Sequence, residues 1–123
     1  MIEIKPTDNI ANYKDKLEEH GISNDNAMII VAEDGKEIGH LISYIENAIL
    51  HIVEVECGDD IYLYDGVVRA ALNSAMTRNI DKAQFHVKDM GILKKLCFVK
   101  DGEENIESIM KFLSKCKSCN IDK

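Results

Sequence analysis

The chain has 123 residues, of which 22 are acidic and 15 basic, so its net charge is −7. This length suits one domain over 1–123, and a hydrophobic content of 46% with a single proline argues against intrinsic disorder. A chain this long buries enough apolar surface to fold without disulfides or metal ions. An acidic surface repels phosphate backbones, so the composition disfavours a nucleic-acid partner.

The N-terminus lacks the pattern of a secretory signal, because Met1 to Lys5 show no basic start followed by an apolar run. No apolar stretch reaches the roughly 20 residues that a membrane-spanning helix needs. We therefore expect a cytoplasmic protein that has no membrane partner and whose cysteines are reduced.

The first part of the chain predicts strands joined by turns, with one helix after the first strand. Ile2–Lys5 alternates at period two, which is typical of a short strand. Apolar residues at helical spacing predict a helix over 9–20. The apolar run Met28–Ala32 predicts a buried strand, the Asp34-Gly35 pair a hairpin turn, and Glu37–Ile45 the return strand.

The next predicted strand, Ile49–Cys57, follows a turn at Asn47. A regular strand places alternate side chains on opposite faces. One predicted face carries Ile49, His51, Val53, Val55 and Cys57. The other carries Leu50, Ile52, Glu54 and Glu56. His40 and His51 lie on neighbouring predicted strands, and we expect them to pack across the sheet rather than to bind a metal ion.

The second part of the chain predicts helices that alternate with strands. We expect helices over 60–79, 90–96 and 104–115, and strands at Ala83–Val87 and Phe98–Val99. Hairpin strands followed by a strand–helix–strand unit predict an α/β (α+β) fold. Its sheet would be mixed and mostly antiparallel, with helices on its faces.

Two segments of this second part carry a family resemblance. Val67–Leu72 is similar to a helix that follows a cofactor loop, and Leu93-Lys94-Lys95-Leu96-Cys97-Phe98 is similar to a Y-x-x-L-G-F signature. With the order of elements, these segments resemble the GNAT superfamily of acyl-CoA-dependent N-acyltransferases. The resemblance implies that strand Ile49–Cys57 splays from its neighbour and pairs with the pantetheine arm of acetyl-CoA.

In the GNAT family, the loop before that helix carries Q/R-x-x-G-x-G/A, and its backbone N–H groups bind the cofactor's pyrophosphate. The register of the helix places Asp59 at the Gln/Arg position, and Tyr62 and Tyr64 at the last two small positions. We expect Asp59 or Asp60 to cap the helix and to occupy the anion site. For the two tyrosines, we favour packing over a role as a displaced catalytic acid.

The resemblance implies an N-acetyltransferase that transfers an acetyl group from acetyl-CoA to a primary amine by direct attack on the thioester. Glu54 or Glu56 would be the general base, acting directly or through water. Backbone groups at Val55, Cys57 and Gly58 would bind the cofactor and orient the thioester carbonyl. The partners would be a small-molecule amine and acyl-CoA.

The alternative is a catalytically silent GNAT-like fold that acts as a binding or assembly module. Leu93 stands where the family often has the tyrosine that protonates the departing thiolate, and the acids and tyrosines of the loop replace its glycines. An enzyme must bind acetyl-CoA, whereas a silent module need not. The sequence does not identify the amine, and it leaves a homo-oligomer open.

The cysteines do not predict a metal site. Cys116 and Cys119 form a CxxC pair near the C-terminus, but no second pair lies at a spacing suited to zinc. We expect the pair to bind no metal and to perform no chemistry. Cys57 and Cys97 have apolar neighbours and look like small buried residues.

Overall fold

The computed structural model describes residues 2–88, 90–100 and 102–114. Within them the strands are β1 (Glu3–Pro6), β2 (Ala27–Glu33), β3 (Glu37–Glu46), β4 (Ile49–Glu56), β5 (Lys82–Phe85) and β6 (Asn105–Ile106). The α-helices between them are α1 (Lys14–His20), α2 (Ile61–Thr77) and α3 (Gly91–Lys95). A 3-10 turn at Ile10–Tyr13 leads into α1, and residues 109–114 are helical.

The strands form one sheet in the order β1-β2-β3-β4-β5-β6. Every neighbouring pair is antiparallel except β4 and β5, which are parallel. A parallel pair needs a crossover connection, and α2 provides it. The predicted fold class, a mixed and mostly antiparallel sheet flanked by helices, is therefore confirmed.

Each face of the sheet is covered by a different helix. The apolar stripe of α2 is fully buried against one face and includes Val67, Val68, Ala71, Leu72 and Ala75. The 3-10 turn and α1 cover part of the other face, where Tyr13 and Leu17 pack on Ile29, Val31 and Ile42. None of the described helices has the length and apolar character needed to cross a bilayer.

The strict alternation predicted for β4 is wrong, because the strand contains a β-bulge. Ile42 pairs with Glu54 and Ser43 pairs with Ile52, so Val53 has no partner on β3. An extra residue of this kind reverses the alternation that follows it. Leu50 and Ile52 therefore share the α2 face with Val55 and Cys57, and Val53 packs with the α1 cluster.

The C-terminal part differs from the prediction in two places. Phe98 and Val99 are buried but form no strand. The last described strand is instead Asn105–Ile106, which pairs with β5, so the helix predicted over 104–115 begins at residue 109. Pairing at an available sheet edge outweighs the local helical spacing of the apolar residues here.

Candidate active site

The candidate site begins where the β4–β5 ladder ends. Its last pair is Ile52 with Phe85, and the His86 backbone N–H donates one further hydrogen bond to the Ile52 carbonyl at 2.8 Å. β4 continues to Glu56, and no strand in the described residues pairs with this extension on the β5 side. The backbone edge from Val53 to Glu56 is therefore open to an extended ligand.

The N-terminus of α2 lies immediately beyond this edge. Asp60 is its N-cap, and one carboxylate oxygen accepts hydrogen bonds from the backbone N–H groups of Tyr62 at 3.1 Å and Leu63 at 3.0 Å. These are donors that a helix N-terminus would otherwise offer to an anion. The prediction that an acid caps this helix is confirmed, and the residue is Asp60.

Close packing positions the end of β4 against β3. A Cβ atom built on Gly39 would lie 3.1 Å from the Cys57 sulfur, the Glu56 carbonyl oxygen and a Leu63 methyl carbon. Gly39 therefore allows the chain to turn tightly from β4 into α2. Burial is the main cause that raises the pKa of the Cys57 thiol, to about 11, so Cys57 packs in the core as an unreactive thiol.

Glu54 is the centre of an ionic cluster on the α1 face. Its carboxylate lies 2.7 Å from His40 Nε2, 3.1 Å from Lys16 Nζ and 3.4 Å from His20 Nε2. Partial burial alone would raise the pKa of Glu54, but hydrogen bonds from these three basic side chains lower it to about 2. Glu54 is therefore a structural anion that links α1 to the sheet.

Glu56, the other predicted base, is exposed at the end of β4. Its side chain accepts a hydrogen bond from the Gly58 backbone N–H at 3.0 Å, which holds the carboxylate beside the open edge. Glu54 and Glu56 are two residues apart on β4, beyond the bulge, so their side chains lie on the same side of the sheet. The sequence-based prediction of a shared face for these two residues holds.

The residues that stand at the family's loop and signature positions divide between core and surface. Tyr64 is buried, whereas Tyr62 is 86% exposed. Leu93 is fully buried, so its side chain lies in the core. Cys97 stands at the signature's glycine position and has a positive φ of 71°, a conformation that favours glycine.

The histidines are arranged differently from the prediction. His40 and His51 do not meet, because His40 pairs with Glu56 and His51 pairs with Tyr44 in the β3–β4 register. His51 instead contacts His86, with 2.9 Å between Nδ1 and Nε2. Sequence reasoning missed His86, since it lies just after a short parallel strand whose register could not be read locally.

No group of three or more side chains suited to a metal ion occurs among the described residues. Cys116 and Cys119, which we expect to bind no metal, lie outside the described residues.

Neither a protein-family model nor a curated protein matches the sequence. Solved structures do match, and acetyltransferases of the GNAT family are among them. The chain has the GNAT fold. A proposed acetyltransferase from Exiguobacterium sp. 255-15 matches with a TM-score of 0.64 and 8% identity, over 94% of this chain and 98% of its own.

Two further solved structures match over most of this chain. The ribosomal-protein-S18-alanine N-acetyltransferase of Escherichia coli matches with a TM-score of 0.60 and 11% identity, over 85% of this chain and 89% of its own. A Bacillus subtilis acetyltransferase in complex with CoA matches with a TM-score of 0.53 and 13% identity, over 69% of this chain and 64% of its own. Identities this low establish the shared fold alone.

Proposed function

We propose that this GNAT-fold chain is an N-acetyltransferase that transfers an acetyl group from acetyl-CoA to a primary amine in the cytoplasm. The observation that carries the proposal is the open edge of β4 from Val53 to Glu56, between the end of the β4–β5 ladder and the start of α2. The CoA complex of the Bacillus subtilis neighbour supports acyl-CoA as the ligand.

In this proposal the pantetheine arm extends along the open edge of β4. Backbone groups at Val55 and Cys57 hold it and orient the thioester carbonyl, whereas the Gly58 N–H already donates to Glu56. Gly58 has a positive φ of 60°, which turns the chain out of β4 towards α2. Backbone donors are suited to this task because they are fixed before the ligand arrives.

Of the two predicted bases, Glu56 suits the reaction better than Glu54. A general base works best when its pKa is near the working pH, and the pKa of Glu54 is lowered to about 2. Glu56 is exposed beside the open edge and can take the proton of an ammonium group directly or through water. Glu54 then supports the site by linking α1 to the sheet.

Two carboxylates lie where the pyrophosphate of acetyl-CoA would bind in this proposal. The Asp60 carboxylate occupies the N–H groups of Tyr62 and Leu63, and Asp59 adds a second negative charge beside it. Phosphate oxygens must therefore displace a carboxylate and overcome its repulsion. We expect weak acetyl-CoA binding in the wild type.

Calorimetry with acetyl-CoA tests this proposal. Replacing both Asp59 and Asp60 by glycine should tighten binding, because glycine frees the N–H groups and is nearly as good an N-cap. Asp25→Asn controls for the loss of a negative charge away from the site, since Asp25 lies in the loop before β2, at the opposite end of the sheet. A wild-type Kd below about 1 µM would contradict the competition by Asp60.

A catalytically silent GNAT-fold module is the second candidate, and the Asp60 cap is the observation that favours it. A module of this kind has no need for a pyrophosphate site, so its helix N-terminus is available to an acidic cap. If neither the wild type nor the double glycine variant binds acetyl-CoA, the silent module is supported and the transferase is contradicted.

A further inference from the structure

Two histidines meet where β4 and β5 separate. His51 Nδ1 lies 2.9 Å from His86 Nε2, and the His86 backbone N–H makes the last hydrogen bond of the ladder. The His51 ring is buried and stacks on Tyr44 at a centroid distance of 4.7 Å, whereas His86 is exposed. A fixed imidazole therefore supports an accessible one at the open edge of β4.

The ring geometry identifies a hydrogen-bonded dyad. The centroids are 5.1 Å apart, which is close to the N–N distance plus the two ring radii, so the rings meet edge to edge. Each of these nitrogens is directed at the other ring, and one proton is shared between them. A metal ion bound to both nitrogens would have to push the rings apart.

The surroundings of His86 favour the neutral form of its imidazole. Burial is the first cause that lowers the pKa of His86, the neighbouring His51 is the second, and Glu104 opposes them. A neutral imidazole can accept a proton on Nδ1 while its Nε2–H donates to His51. The contact with His51 fixes the orientation of the His86 ring, so that Nδ1 is the nitrogen left to exchange protons.

Building on the proposed transferase function, we propose that His86, held by His51, shuttles a proton from the amine to the departing thiolate. The proposal rests on the position of the dyad at the strand separation, where the thioester would lie. It also explains how the chain works with Leu93 in place of a tyrosine, because Leu93 is buried in the core and has no proton to donate.

His86 ends the step in the protonation state in which it began it. The neutral amine attacks the thioester carbon, and a C–N bond forms as the carbonyl π electrons move onto oxygen. His86 takes one proton from the new ammonium nitrogen. The carbonyl then re-forms, the C–S bond breaks with its electron pair on sulfur, and sulfur takes the proton from the His86 imidazolium. The products are the amide, the CoA thiol and a neutral His86.

The first test is His86→Gln, assayed with an amine that the wild type acetylates. We expect kcat to fall about 100-fold or more, since general acid–base help of this kind contributes about 10²–10⁴-fold. Acetyl-CoA binding, measured by calorimetry, should stay within about threefold of the wild type. Lys82→Gln, at the exposed start of β5, is the control that should keep full activity.

A change of leaving group separates proton donation from structural damage. The acetyl thioester of 4-nitrothiophenol releases a more acidic thiol, which departs without a proton. With this acyl donor, the fall in kcat caused by His86→Gln should shrink to less than about tenfold. An equal loss with both donors would overturn the role of His86 as proton donor to sulfur.

His51 is a positioning residue, and its test has a readout independent of turnover. In His51→Gln, the pKa of the His86 ring, followed by NMR titration, should rise because the neighbouring imidazole is removed. The acidic limb of the kcat/KM profile should move in the same direction. An unchanged His86 titration would overturn the dyad.

Failure of this proposal is distinguishable from failure of the proposed function. Full turnover by His86→Gln overturns the shuttle and leaves the transferase intact. No acetyl-CoA binding by either the wild type or the double glycine variant overturns the transferase, and the shuttle with it. Acetyl-CoA binding without turnover over a broad amine panel also overturns the shuttle.

Discussion

Glu54 Oε2 lies 2.7 Å from His40 Nε2, and His40 is only 7% exposed. The same carboxylate also contacts Lys16 and His20 of α1. His40 in turn lies 3.4 Å from Glu37, which accepts a hydrogen bond from the Tyr13 hydroxyl. One carboxylate on β4 therefore holds both the β3 histidine and the helix that covers this face of the sheet.

We predict that Glu54 makes stability depend on acidic pH. The pKa of Glu54 is about 2 in the folded protein and 4.5 ordinarily, so its contribution is complete above pH 4.5 and is lost as the pH falls towards 2. Glu54→Gln should lower the free energy of unfolding at pH 7 by roughly 1–3 kcal/mol, measured by urea denaturation. The difference from the wild type should shrink between pH 5 and pH 3.

Glu46→Gln is the matched control for this prediction. Glu46 is an exposed strand acid at the end of β3, and its replacement should change stability by less than about 0.5 kcal/mol at either pH. A Glu54→Gln difference that is constant over the acidic range would contradict the assignment.

The two neighbouring acids before α2 should differ in their effect on stability. Asp60→Ala removes the side chain that accepts from Tyr62 N and Leu63 N, and should cost about 1 kcal/mol in thermal or urea unfolding. Asp59→Ala should cost less, because Asp59 does not accept either cap hydrogen bond. Equal losses in both variants would show that charge near the helix end matters more than the cap.

Cys97→Gly should stabilise the protein. Cys97 follows α3 with φ of 71°, and its N–H donates to the Lys94 carbonyl at 3.0 Å as the helix ends. A non-glycine residue in this conformation costs about 1–2 kcal/mol, and the greater freedom of glycine in the unfolded chain offsets part of that, so we expect a gain of about 0.5–1 kcal/mol. Cys97→Ala, which keeps the Cβ atom, should give no such gain in the same unfolding measurement.

If the chain is active, replacing each of the two glutamates of β4 should have a different effect on kcat. Glu56→Gln should lower kcat by about 10²-fold or more, because it removes the base that deprotonates the amine. Glu54→Gln should act mainly through stability, with a smaller effect on kcat under conditions where the variant is folded. Full activity of the variant that carries both Glu54→Gln and Glu56→Gln would eliminate this mechanism. No turnover by the wild type over a broad amine panel would favour the silent module.

Local patterns were sufficient to predict most of the fold. The helical stripe of α2 and the hairpin signal at Asp34-Gly35 each depend on residues close together in the chain, and both lie where the sequence predicts them. The turn at Asn47 was also readable, and Asn47 and Ala48 both have positive φ there.

The features that could not be predicted depend on pairing between distant segments. Val53 looks like any strand residue, and only its missing partner on β3 makes it a bulge. Asn105–Ile106 becomes a strand because β5 offers it an edge. The His51–His86 contact needs the parallel register of β4 and β5, which no local pattern encodes.

The strands follow one another in the sheet in the order in which they occur in the chain. Tight turns connect β2 to β3 and β3 to β4, so these pairings close only short loops. The β4–β5 ladder is different, because it forms only when α2 is in place across the sheet. We therefore expect the β2–β4 meander to pair before α2 and β5 complete the sheet. The half of the molecule that would hold acetyl-CoA is thus the half that we expect to be completed last during folding.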